Sequence, residues 1–135
     1  MVSHALEIVV ANHVATDSPL VLEGDGIVPA MAARRCFAGL DAGERVRAVF
    51  LHQPDKAAVL RAMASRGRGF DGLGEQERRT QARASWLYGQ WLASEAMASG
   101  IPVVEASPWP TLLARVESIT RGRDHPNRPI SPRPE

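Results

Sequence analysis

Val46-Arg-Ala-Val-Phe-Leu-His-Gln-Pro-Asp-Lys56 passes from a β-branched apolar run to a helix start within eleven residues. Val46 to Leu51 has the length and side chains of a buried strand. Pro54 then stands where a helix has no use for an N–H, so a helix is expected from Lys56 to Ala64. The same change of pattern recurs on both sides. Leu20 to Glu23, opened by Pro19, and Val103 to Glu105, opened by Pro102, also read as short buried strands. Longer Ala-, Leu- and Arg-rich stretches separate them and suit helices: Ser3 to Ala15, Pro29 to Phe37, Glu75 to Ser99 and Thr111 to Thr120. Gly100 and Pro102 close the longest of these, and Gly67, Gly69, Gly72 and Gly74 mark a mobile loop before it. Single strands alternating with helices predict an α/β fold of three layers, with a parallel sheet covered by helices on both faces. Three strands are few for that architecture, and some apolar helix face is left without a partner.

With 135 residues the chain is one domain long, and 44% apolar residues can build a core without a disulfide or a structural metal. Cys36 is a single cysteine, which excludes a disulfide scaffold and suits a small core residue. Aromatic residues make up only 5%, so Trp86, Leu87, Tyr88, Trp91 and Leu92, at helical spacing, are expected to pack in the core. His4, His13, His52 and His125 lack metal-ligand spacing. No membrane span or secretory signal is visible, and a cytoplasmic protein is expected. Residues 121–135 carry four prolines and one aliphatic side chain, Ile130, at a net charge of +2 against −1 for residues 1–120. They read as a disordered Arg/Pro-rich tail following a domain over residues 1–120. Nucleic-acid binding through that tail lacks interleaved aromatics and any recognisable motif.

Two constellations carry chemistry. Pro19-Leu-Val-Leu-Glu-Gly-Asp-Gly-Ile27 delivers Glu23 and Asp25 at the end of a strand, where open parallel sheets bind ligands. A carboxylate there holds Mg²⁺ through water or accepts a hydroxyl proton, although Gly-Asp-Gly is equally good turn chemistry. Arg61, Arg66, Arg68, Arg78, Arg79 and Arg83 flank the glycine-rich loop as a lid over phosphates would. Asp71, Glu75 and Glu77 offer the alternative of a solvated, partly neutralised helix face.

Taken in order, Leu20-Val-Leu-Glu-Gly-Asp25, Arg47-Ala-Val-Phe-Leu51 with Pro54-Asp55, the Arg/Gly loop, Trp86-Leu-Tyr-Gly-Gln-Trp-Leu92 and Ile101-Pro-Val-Val-Glu-Ala-Ser-Pro-Trp109 with Thr111-Leu-Leu113 resemble a known family. It is the C-terminal portion of bacterial P-loop small-molecule kinases, in the ATP-binding group labelled 2-phosphoglycerate-kinase-like. The resemblance covers roughly residues 4 to 120. It implies ATP and Mg²⁺ as cofactors and a small hydroxylated metabolite as phosphoryl acceptor. Glu23 and Asp25 would face the acceptor, with Asp25 on the metal. Arg66, Arg68, Arg78 and Arg79 would lie on the phosphates, and Ser107, Pro108 and Trp109 would line the adenine pocket. The departure is the Gly-x-x-x-x-Gly-Lys-Ser/Thr loop, absent from this sequence, whose single lysine is Lys56. The first strand and phosphate loop are thus expected to be missing, little independent catalysis is expected, and the open sheet invites a partner chain or a second copy. The alternative is a non-enzymatic interaction subunit whose sheet another chain completes.

Overall fold

The computed structural model describes residues 2–66 and 69–121. Helix α1 (Val2–Ala15) buries Val14 against Phe37 and Ala42, with Val10, Ala11, Leu40 and Val46 packed around them. The chain then runs without regular structure through Leu20 to Glu23. The strand expected there does not form. β-propensity is realised only against a neighbouring ladder, and none lies alongside, so Val21 remains 91% exposed.

Helix α2 (Pro29–Ala32) is one turn long, not the helix to Phe37 that its sequence suggests. Strands β1 (Cys36–Phe37) and β2 (Leu40–Asp41) follow as an antiparallel hairpin. Ala38 and Gly39 between them both have positive φ, 46° and 80°, as a two-residue hairpin loop of matching twist requires. Burial of Phe37 under α1 favours the hairpin over a longer helix. The reversal leaves Cys36 exposed, outside the core in which it was expected. Arg45 fastens this unit. Its guanidinium donates to the carbonyls of Val14 (2.9 Å), Asp41 (2.8 Å) and Ala42 (3.3 Å), joining the end of α1 to the hairpin. Glu7 adds a second tie, accepting from the Ala38 N–H at 3.0 Å and pairing with Arg34 at 3.5 Å.

Strand β3 (Phe50–His52) pairs in parallel with β4 (Val103–Glu105), with Phe50 opposite Val103 and His52 opposite Glu105. The strand expected from Val46 is shorter because its partner is short: Pro102 cannot donate to a ladder, and Pro108 turns the chain away. Helix α3 (Lys56–Arg66) is capped by Asp55, whose Oδ1 accepts the Ala57 N–H at 2.8 Å. Helix α4 (Glu75–Ala98) starts where Glu77 reaches back to the Gly74 N–H at 2.8 Å. It ends on Gly100 at φ 70°, with Gly100 N–H on Met97 and Ile101 N–H on Ala96, the paired bonds of a glycine-terminated helix. After a 3₁₀ turn at Trp109–Thr111, helix α5 (Leu112–Thr120) completes the described chain.

The architecture is mixed α/β. Its parallel sheet has two strands among the described residues, so the layered sheet with helices on both faces is not built. The residues α4 buries are Ala82, Ala93 and Ala96, small side chains that let neighbouring backbone approach closely. The large ones expected in the core, Leu87 (48%), Tyr88 (40%) and Trp91 (47%), face outward, while Trp86 and Leu92 are half-buried. Periodicity put these residues on a helix correctly, but the face that packs is the one carrying alanine. Among the described residues, no helix is long and apolar enough to cross a membrane. The tail beyond Arg121 lies outside the described residues.

Candidate functional site

Trp86 donates its indole N–H to the Pro54 carbonyl at 2.9 Å. Pro54 stands at the entry to α3, and residues 67–74 join the far end of α3 to the start of α4, so α3 and the first half of α4 run antiparallel as a helical hairpin. At 1.5 Å per residue each arm is about 16 Å long. The second half of α4 returns along the strands toward Gly100 and the start of β4, so the hairpin stands beyond the carboxyl ends of β3 and β4. Its tip is anchored by Phe70, which is 3% exposed. The glycine-rich loop thus contains a buried aromatic, more than its composition suggests.

The arginines are strung along this hairpin. Measured from the level of Trp86, Arg83 lies about 5 Å up, Arg79 about 10 Å, Arg78 about 12 Å, and Arg66 is near the tip. Arg66, Arg79 and Arg83 are exposed. Arg79 pairs with Glu75 one turn earlier, while Arg78 is half-buried and its Nε is without a partner among the described residues. Arg68 lies outside the described residues. At the base, Arg61 pairs with Asp55 at 3.2 Å. The Ala57 N–H, with smaller help from the Ala58 N–H and from Arg61, holds the Asp55 carboxyl below the ordinary carboxylate range.

The carboxyl ends of the two strands meet beside that base. Gln53 donates its amide to Ser107 Oγ at 3.1 Å, bridging the loops that leave β3 and β4. Arg115 on α5 fixes the second loop, donating to the carbonyls of Glu105 (2.6 Å) and Pro108 (3.0 Å) and to Thr111 Oγ1 (3.3 Å). Ser107, Pro108 and Trp109 are therefore held at the sheet end on which α3 opens, and Trp109 presents its ring to solvent at 64% exposure.

Glu23 and Asp25 sit elsewhere. The Ile27 N–H closes a turn onto the Gly24 carbonyl at 3.3 Å, and the Tyr88 hydroxyl donates to the Asp25 carbonyl at 2.9 Å. Trp86 and Tyr88 are separated by about 200° around α4. The helix thus stands between the Asp25 turn and the Pro54–Ser107 edge, and no hydrogen bond or ion pair among the described residues links the two groups. Both carboxylates are exposed. A Mg²⁺ uses only one or two carboxylates and keeps several waters, so Asp25 would be the residue to hold one through water. Among the described residues no group of three or more His, Cys, Asp and Glu is disposed to hold a metal.

A shallow depression lined by Arg47, Ala48, Gly100, Ile101, Pro102 and Ile119 lies at the opposite, amino end of the strands, away from both groups. The contacts that shape the site were legible only as residue types. An indole N–H and a phenol O–H are each a polar handle on an apolar ring, which marks Trp86 and Tyr88 as tethers but does not say to what. The chain matches no protein-family model, no curated protein and no solved structure.

Proposed function

We propose that the chain is the lid- and acceptor-bearing part of an ATP-dependent phosphotransferase acting on a small hydroxylated metabolite, and that a further strand carrying a phosphate loop completes its sheet. The observation that carries this reading is the in-register parallel pairing of Phe50–His52 with Val103–Glu105, joined through a cationic helical hairpin that rises from the carboxyl ends. An antiparallel pair would have excluded it. Arg66, Arg78 and Arg79 stand on the side where phosphates would lie, and hairpin closure would bring fixed guanidinium charge onto them and exclude water. Ser107, Pro108 and Trp109 offer a flat, held edge for a purine. Leu20 to Glu23, apolar and without a ladder, would join the sheet when the added strand supplies one, carrying Asp25 toward the strand ends. Bound Mg²⁺ would neutralise charge between the phosphates, with Asp25 holding it through water.

A second reading, an interaction subunit without catalysis, is favoured by one observation: Val21, Leu51, Met97 and Leu113 are all more than half exposed. Titration calorimetry with MgATP tests the first reading. The chain alone is expected to bind more weakly than ~1 mM, because the amides and lysine that grip the β- and γ-phosphates are absent. Joined to a strand, phosphate loop and helix borrowed from a P-loop kinase and placed ahead of Met1, it should bind at least about tenfold more tightly than the borrowed segment alone. No gain over that segment would leave the interaction reading.

A further inference from the structure

Large aromatic side chains on a helix are ordinarily spent on the core, and α4 spends alanines there instead. Tyr88 and Trp91 stack on one another in the open, with ring centroids 5.6 Å apart and planes at 25°. The pair is not isolated from polar chemistry, because the Tyr88 hydroxyl is bound to the Asp25 carbonyl. That bond uses the Asp25 main chain and leaves its carboxylate exposed, with the exposed carboxylate of Glu23 two residues earlier in the same segment. Among the described residues neither carboxylate has an ion-pair partner.

We infer that Trp91, Tyr88, Asp25 and Glu23 form a binding site for a polyhydroxylated ring, a sugar or cyclitol. An aromatic face is electron-rich and takes the C–H face of a saturated ring, whose hydrogens carry partial positive charge. Ionised carboxylates are pure acceptors and bind vicinal hydroxyls through charge-assisted hydrogen bonds. A ring with hydroxyls at its rim and C–H bonds on its face satisfies both, whereas an anionic ligand is repelled by the two carboxylates. A linear polyol offers the hydroxyls without the flat face. The inference concerns the chain as it stands, with Asp25 held on Tyr88, and goes beyond the reading above without depending on it, since binding requires neither a nucleotide nor an added strand.

The test is a proton–nitrogen NMR titration of the full chain without nucleotide, using glucose, myo-inositol and glycerol as probes. The three indole N–H signals separate Trp91 from Trp86 and Trp109. The expected result is a saturable shift of the Trp91 indole and the Asp25 amide with the two rings, with glycerol at least about tenfold weaker. Asp25→Asn keeps the main-chain carbonyl that Tyr88 binds and should weaken the rings about tenfold. Trp91→Ala should abolish the Asp25 shift while the remaining amide spectrum stays dispersed. Glycerol matching the rings, or no saturable shift up to ~100 mM, overturns the assignment. So does a Trp91 signal that moves on dilution alone, which would make the platform a contact between copies. Failure here leaves the MgATP result untouched, so the two readings fall separately.

Discussion

The indole of Trp86 and the carbonyl of Pro54 meet at 2.9 Å, tying the middle of the longest helix to the residue at which the parallel strand gives way to α3. Through that bond the hairpin has a fixed base while its far end is tied through Phe70.

Trp86→Phe keeps an aromatic side chain and removes the donor. The lost bond should lower global stability by about 1 kcal/mol. Amide exchange in α3 should accelerate while β3 and β4 keep their protection. Uniform acceleration across the chain would show that the hairpin has no separate hinge.

Arg45 makes three bonds to main-chain carbonyls from two elements, so its removal strands acceptors as well as a charge. Arg45→Met should destabilise the chain by about 2 kcal/mol in urea denaturation and loosen α1 from the β1–β2 hairpin. A loss below about 0.5 kcal/mol would mean that water replaces all three bonds at no cost.

Asp55 supplies a pH dependence whose sign follows from its bonds. Main-chain N–H groups and Arg61 favour its charged form in the folded chain, so its folded pKa is depressed. Its contribution is present above the unfolded carboxylate's value of about 3.9 and is lost as the pH falls through the lower folded value. Helicity of α3 should therefore decline in that acid window. Asp55→Asn retains a cap but should abolish the acid step, whereas Asp55→Ala should lower α3 helicity at neutral pH. Circular dichroism against pH for the three proteins is the check.

What could be read in advance followed from local chemistry. Pro54 and Gly100 carry the boundaries of α3 and α4 in their own backbone constraints, and both helices lie within two residues of expectation. Val103 to Glu105 is the expected strand because Pro102 and Pro108 bracket it. Leu20 to Glu23 was misread because its strand-forming residues specify only a willingness to pair, and pairing depends on a neighbour. The β1–β2 hairpin was hidden by Ala38, an L residue at positive φ that no turn rule anticipates. The arginines of α3 and α4 were visible as types, but their spacing along a hairpin required the Trp86–Pro54 bond. The separation of Asp25 from Ser107 by α4 was not legible, since it depends on which face of that helix packs.

Sedimentation velocity of the chain, alone and with the strand–loop–helix segment added in trans, tests the central claim that its sheet is incomplete. Among the described residues the β3–β4 sheet has two open edges, and with exposed Leu51, Met97 and Leu113 they predict dimers or larger species for the chain alone. The added segment should convert them to one 1:1 complex. A chain that sediments as a monomer, unfolds cooperatively and ignores the segment would contradict the account.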